Sequence, residues 1–249
     1  MIDFVLKALR LKEEVRAGWA LRGVRDPESV ADHCWGTALL CWLYAPTGGG
    51  NGDDAIDRDR AVAMAIVHDI AEAEMGDVAT RVHDEERTMS AGEKQRRERE
   101  AFATVRELLK HRKVDSDSDS KTSGGTTDRE DGTAPGARAE PIRPDAATEL
   151  TDLWEEYERA ETATARFVRD MNLCDMCAQA FIYQSTGRYD ADAESPAFRN
   201  YSNLDEFFET SRPRLSTPVG RELFAGIERR YRDALASSPF QSGEGDNAR

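Results

Sequence analysis

Histidine is scarce in this chain of 249 residues, four in all, so those placed beside acids or apolar runs carry chemical information. His33 follows ESVAD at the head of an apolar stretch, and His68 is followed directly by Asp69 near the end of the next one. Two imidazoles and a carboxylate, joined by a later polar residue from another helix, can converge on one divalent ion. That donor mixture suits manganese, iron, cobalt, nickel or zinc better than calcium. Adjacent helical residues point about 100° apart, so His68 and Asp69 share an ion only if it lies between their directions. The same spacing equally fits a core histidine bonded to its neighbouring acid.

The elements that must position these groups read as helices. Residues 33–45 are almost wholly apolar, as a central helix is, and 57–75 carry small and branched apolar residues up to VHDIAEAEMGD. Residues 91–112 are rich in Glu, Arg, Lys and Gln, with Phe102, Val105, Leu108 and Leu109 clustered late, which predicts one exposed face. Leu150, Leu153, Trp154 and Tyr157 recur at helical spacing within 145–159, and Phe167, Met171, Cys174 and Ala178 do so within 161–185. Helices at 203–210 and 219–236 follow, and Ile2, Val5, Leu6 and Leu9 fall on one face of an N-terminal helix. No alternating strand of useful length is present. The expectation is an all-α bundle in a single domain, 1–240, with a flexible tail, 241–249.

Asp and Glu number 48 against 34 Lys and Arg, for a net charge of −14, which argues against a nucleic-acid polymer or an anionic membrane as partner. A small phosphorylated substrate remains compatible, because one metal ion and one Arg override the mean field locally. Part of the acidity has an address. Residues 114–140 contain no Leu, Ile, Met or aromatic side chain and are expected to be a disordered insertion; PTGGGNGDD at 46–54 is a shorter polar interruption. Cys34 and Cys41 lie in an apolar stretch, while Cys174 and Cys177 form a CxxC within a helical pattern. Buried, reduced thiols are expected rather than a four-thiolate zinc site, which needs two close pairs on turns. No apolar run approaches the roughly 18 residues of a membrane span, and the N-terminus lacks the features of a signal peptide, so a cytoplasmic protein is expected.

Taken together and in order, the upstream GW and the segments ESVADH, AIVHDIAEAEMGD, EKQRREREA and LWEEYERAETATARFVRDMNLCDMCAQA resemble the HD-domain phosphohydrolases, and most closely their 5′-deoxynucleotidase branch. The likeness covers most of residues 1–185. It implies an HD-domain helical bundle with a metal site between core helices, and a homodimer. The implied reaction is hydrolysis of deoxynucleoside 5′-monophosphates with a divalent metal: manganese, cobalt, iron, nickel, zinc or magnesium. Carried over residue by residue, His33, His68 and Asp69 fall on three metal ligands, Glu72 on the acidic catalytic group and Asp77 on an acid near the sugar. Glu72, one helical turn after His68, could orient the attacking water or shuttle its proton, or it could be a solvated acid. Asp77 equally fits a helix terminus. Trp19 corresponds to a ring that packs on the sugar and disfavours a 2′-hydroxyl, with core packing as the alternative.

Two positions depart from the pattern. Bacterial members place an Arg immediately before this Trp; here Gly18 stands there in an RxGW pattern, leaving Arg16 or Arg22 to grip phosphate, Arg16 preferred. Where the family has a fourth-ligand Asp, FVRDMN has Asn172. On a helix Asp170 and Asp175 point about 200° and 300° around from 172, so Asp175 is the better substitute ligand. An Asn oxygen coordinates without negative charge, so the metal binds more weakly or the site is inactive. Beside the nucleotidase stand two alternatives: an impaired nucleotide-binding or scaffold protein, and an enzyme for cyclic nucleotides or triphosphates, whose additional basic or histidine motifs are not found here.

Overall fold

A capping box starts the helix that carries His33. Ser29 Oγ accepts from Asp32 N at 3.1 Å, and Asp32 Oδ2 accepts from Ser29 N at 3.0 Å, which satisfies two of the donors a helix start leaves open. The computed structural model describes residues 2–46, 55–79, 89–110, 145–194, 201 and 203–237. The expected insertion 114–140, the tail 241–249 and residues 47–54 lie outside the described residues.

The described residues form ten α-helices: α1 (Ile2–Ala8), α2 (Ala17–Leu21), α3 (Val30–Tyr44), α4 (Arg58–Val67), α5 (Glu72–Met75), α6 (Ala91–Lys110), α7 (Ala146–Arg159), α8 (Ala163–Ser185), α9 (Asp205–Ser211) and α10 (Pro218–Ser237). Among them there is no strand, only the isolated bridges Val15–Ser29 and Val24–Tyr189, so the all-α expectation holds. No described helix is long and apolar enough to cross a membrane.

The longest helix, α8, is the axis, packed by α3, α4, α7, α9 and α10. Its start is fixed by Thr162, whose Oγ1 accepts from Ala165 N at 3.0 Å and donates to Glu156 Oε1 at 2.6 Å across the tight α7–α8 turn. Phe167, Met171, Cys174, Cys177 and Tyr183 on α8 join Met64, Phe208, Phe224 and Tyr231 in one core cluster. A second cluster holds Leu11, Val30, Cys34, Ile70, Phe102, Val105 and Trp154, with Phe102 and Trp154 stacked at 4.1 Å. α3 contributes to both clusters, so His33 lies between them. All four cysteines are buried and free, as expected. α6 also matches its pattern: Ala101, Phe102 and Val105 are buried, while Arg96–Glu100 and Arg97–Glu93 pair along the exposed face.

Three local expectations are corrected. The stretch expected as a central helix, α3, is buried on one side only, with Trp35, Trp42 and Leu43 exposed. Ile2, Val5 and Leu6 on α1, and Leu9 just beyond it, are exposed too, while Phe4 and Ala8 pack on the second core cluster. The helix expected over 57–75 is interrupted between α4 and α5 at His68–Ala71. There the backbone bonds shorten to i→i−3: Ile70 N to Val67 O, Glu72 N to Asp69 O and Glu74 N to Ala71 O. At three residues per turn, positions three apart eclipse one another, so this tightening brings Glu72 over Asp69 rather than over His68.

Asp170, weighed above as a neighbour of the metal site, does structural work at the other side of α8. Its carboxylate accepts from Ser216 N at 3.0 Å and Thr217 N at 2.7 Å, anchoring the start of α10. Gly220 makes room for it, since a Cβ there would lie 2.6 Å from Asp170 Cβ and 2.7 Å from its Cγ. Gly220→Ala should therefore lower stability by about 2–4 kcal/mol through overpacking and a strained buried carboxylate. Gly226→Ala, in the same helix with nothing within 4 Å, should be neutral or stabilising. Denaturant midpoints of the two variants measure the contrast, and equal midpoints would contradict it.

Candidate metal centre

His33 sits in the first turn of α3, fully buried, and His68 ends α4 with Asp69 beside it. One nitrogen of each ring is already engaged. His33 Nδ1 lies 2.7 Å from Asp175 Oδ2, and His68 Nδ1 lies 2.8 Å from the Ala65 carbonyl. Both Nε2 atoms are thereby turned toward Asp69 Oδ2, at 3.1 Å from His68 and 3.9 Å from His33. His33 Nε2 is buried with no hydrogen-bond partner. Histidine, histidine and aspartate atoms thus come within 4.8 Å of one another, and this donor set fits a divalent cation of the transition series or zinc.

Asn172, on α8, closes the group. Its side-chain amide stands 2.9 Å from His68 Nε2, and its nitrogen donates to the Tyr157 hydroxyl at 2.9 Å. The substitute ligand expected at Asp175 is not one on this side of the ring: its carboxylate binds His33 from behind, at Nδ1. Position 172, not 175, shares the face with His68 and Asp69.

These groups open on a cavity of about 590 Å³ whose wall includes Arg16, Trp19, Asp69, Glu72, Asp77 and Asn172. These six, all the residues the resemblance assigned to the site except His33 and His68, therefore face one space. Arg16 Nη1 lies 3.6 Å from Asp69 Oδ2 and 3.5 Å from Asp77 Oδ1. Asp77, just after Gly76, also accepts from Ala17 N at 2.7 Å, tying the end of α5 to the start of α2. Glu72 is buried with Oε2 unpartnered. Trp19 is buried, donates from Nε1 to Glu28 Oε1 at 2.9 Å, stacks on Phe207 at 4.0 Å and meets Tyr183 edge-on. Arg22, the other candidate for phosphate, is instead fully buried and paired with Glu194, away from this wall.

Burial and charge set the protonation states. Burial, reinforced by Arg16 and opposed by Asp69, holds His33 down to about 3, so its ring is neutral. Burial disfavours charge on Asp69 as well, yet His68 and Arg16 outweigh it and keep the carboxylate well below its ordinary range. His68 is raised by the same pairing despite burial. Glu72 is raised well above the usual carboxylate range, by burial first and then by Asp69 and Asp77. Arg16 is held charged by Asp77 and Asp69 against the cost of burial.

Three further cavity cations, Lys94, Arg169 and Arg214, carried no assignment from sequence. Lys94 belongs to the charged EKQRREREA stretch, where periodicity marks it only as helix surface; Arg169 donates to the Tyr157 and Glu158 carbonyls beside the cavity. Tyr157 was legible as a core aromatic, but its hydroxyl contact to Asn172 depends on how α7 meets α8.

The model of the HD domain matches residues 8–123 and 128–210 of this chain. The chain belongs to the HD domain family. That membership agrees with the resemblance drawn from the ordered motifs. The chain is 27% identical over 243 residues to mouse (Mus musculus) "5′-deoxynucleotidase HDDC2", covering 98% of this chain and 94% of the relative. It is 29% identical over 184 residues to "5′-deoxynucleotidase hdd1" of Schizosaccharomyces pombe, covering 74% and 72%. Two solved structures share the fold. One is a conserved hypothetical protein from Pyrococcus furiosus, with a TM-score of 0.57 and 24% identity over 92% of this chain and 99% of that one. The other, titled a predicted metal-dependent phosphohydrolase, is from Magnetospirillum magnetotacticum, with a TM-score of 0.56 and 23% identity over 94% and 93%.

Asn172→Asp would place a carboxylate beside His68 Nε2 in place of an amide. Manganese affinity should rise roughly tenfold to a hundredfold, the equivalent of about 1–3 kcal/mol for a charge-assisted contact. Titration calorimetry of both proteins measures it, and equal affinities would remove position 172 from the ligand set.

Proposed function

We propose that this HD-domain protein is a metal-dependent phosphomonoesterase that hydrolyses deoxynucleoside 5′-monophosphates to deoxynucleoside and phosphate. The observation that carries the reading is the convergence of the His33 and His68 imidazoles on the Asp69 carboxylate, which lines a cavity that also holds an unpartnered buried acid, Glu72. His33, His68 and Asp69, with the Asn172 side-chain oxygen as fourth donor, would hold the metal. A divalent cation there supplies Lewis-acid charge to phosphate oxygens and makes water a stronger nucleophile.

The chain's own groups account for the rest. Glu72 sits one tight turn from Asp69, and burial raises it well above the usual carboxylate range, so it can hold and pass on a proton. It is suited to give its proton to the departing 5′-oxygen as the P–O bond to the nucleoside breaks and to recover one from the attacking water. Arg16, the phosphate group expected from sequence, is held charged beside Asp69 and Asp77 and lines the same space. Trp19 is fixed by its bond to Glu28 and its stack on Phe207, so its ring is a rigid wall on which a 2′-hydroxyl would be crowded. Asp77 stands nearby as a sugar-side acceptor. The names of the mouse and fission yeast relatives support the same substrate class.

One observation favours a second reading: a neutral amide stands at the fourth-ligand position, which fits a nucleotide-binding protein with impaired catalysis. A panel of nucleotides incubated with and without manganese or cobalt separates the two. Phosphate release from deoxynucleoside monophosphates, dependent on added metal, is the expected result; binding without release would establish the second reading. Trp19→Ala should narrow the difference between ribo- and deoxynucleotide turnover. If both rates fell while their ratio stayed fixed, the ring would be a packing element alone.

The proposal includes a cytoplasmic homodimer, consistent with four buried free thiols and with an apolar outer face on α3. Trp35 and Trp42 are 69% and 59% exposed there, with Leu39, Leu43 and, from α4, Ile66 beside them. Large apolar side chains exposed at helical spacing along one face commonly mark an interface. Light scattering should report a dimer for the parent protein and a monomer for Trp42→Glu; a parent protein that is monomeric at assay concentrations would sink the idea.

A further inference from the structure

The metal reading leaves the part-buried Asp175 without a role. Asp175 lies on α8 one turn beyond Asn172, yet it approaches His33 from the side opposite the cavity. Its seat is shaped by the neighbouring helix. Gly36 follows His33 by three residues on α3, and a Cβ there would lie 2.8 Å from Asp175 Cγ. Any larger residue at 36 would occupy the space the carboxyl now fills. Glu28, whose carboxylate also comes within 4.8 Å of His33 and Asp175, is held at the other end by Trp19 Nε1.

We infer that Asp175, seated by Gly36, is a positioning residue that selects the tautomer of His33 and so prepares its Nε2 as a metal ligand. The inference rests on the metal reading above. A neutral imidazole carries one proton on one of two nitrogens. At Nδ1 that proton has an acceptor, Asp175 Oδ2, at 2.7 Å. At Nε2 it would be buried with no aligned hydrogen bond, since the nearest carboxylate oxygen stands 3.9 Å away. With Asp175 ionised the proton belongs on Nδ1, and the Nε2 lone pair is left facing Asp69. A carboxylate behind the ring also makes the imidazole more electron-rich, and such partners commonly change metal affinity by about ten- to a hundredfold. This matters more here than with a full set of acids, because Asn172 brings no charge to the site. His68 achieves the same tautomer by another route, its Nδ1 bonded to the Ala65 carbonyl of its own helix. Asp175 is the counterpart that α8 must supply across a helix interface.

The test combines a metal titration with a tautomer measurement that needs no metal and no substrate. Three variants are compared with the parent: Asp175→Asn, close in size and able to fold with little rearrangement; Asp175→Ala; and Gly36→Ala, which displaces the carboxylate without deleting it. In metal-free protein, nitrogen NMR of the imidazoles should show His33 protonated at Nδ1 in the parent and shifted toward Nε2 in Asp175→Ala. Manganese affinity by calorimetry should fall about tenfold to a hundredfold in Asp175→Ala and Gly36→Ala and less in Asp175→Asn, with circular dichroism confirming the helices. Unchanged affinity in Asp175→Asn and Asp175→Ala beside normal uptake by the parent would overturn this proposal alone. No manganese uptake by the parent would overturn the metal reading and this proposal with it. A second manganese equivalent bound by the parent and lost in Asp175→Asn would make Asp175 a ligand and overturn its positioning role.

Discussion

Asp69 is a carboxylate kept ionised inside the protein, and most of what surrounds it can be understood as the balancing of that charge. Burying an unpaired carboxylate is costly enough that such a group ordinarily takes up a proton instead. Here His68 and Arg16 outweigh burial and keep it charged. Arg16 cannot serve Asp69 alone, because Asp77 lies equally near its guanidinium. A centre with buried acids at 69, 72 and 77 and only partial compensation attracts cations, and the two Nε2 atoms aimed at Asp69 give a cation its further donors.

The helices around this group are arranged to make that charge density tolerable. α3 presents His33 from its first turn, where a capping box fixes the phase of the helix. The tightened turn between α4 and α5 places Asp69 and Glu72 on the cavity wall, with His68 just before them at the end of α4. α8 then passes through the core with different acids serving different sides. Asp170 anchors α10, Asp175 braces His33, and Asn172 reaches the cavity. Three polar residues within two turns of one buried helix could not all face one site, because successive positions rotate by about 100°. Each therefore found a separate use, and only the one in phase with His68 reaches the cavity beside the His33, His68 and Asp69 group.

The division between Glu72 and Asp69 follows from the same environment. Both are buried acids, yet one is held charged by cations at close range while the other, desolvated and next to two further acids, is pushed toward its protonated form. Environments that drive neighbouring carboxyl groups apart in this way are what allow one to bind charge and another to move protons.

Much of this was legible along the chain. The amphipathic run at Leu150–Tyr157 and the late apolar cluster of α6 each encode a helix and its buried side, because their periodicity follows burial. The apolar stretch around Cys41 encodes a helix but not its buried side, since Trp35, Trp42 and Leu43 are exposed. The scarcity of histidine and the HD pair named three donors, and the ordered motifs named the family. Other features were decided only when helices met. The four residues Ile2, Val5, Leu6 and Leu9 have correct helical spacing but are exposed, since a single helix cannot state which neighbour covers it. His68–Ala71 contains neither Gly nor Pro to signal a break, so the shift to i→i−3 bonding was invisible in composition. Arg16 and Arg22 look alike in sequence, yet one lines the cavity and the other pairs with Glu194 across a long separation. Asp175 was named from spacing as a substitute ligand, and the interface of α3 with α8, closed over Gly36, turned it to the far side of the ring. Residue type and period set which groups were available and which helices carried them; the side of an imidazole that a carboxylate approaches depends on the relative placement of two helices, which only tertiary packing supplies.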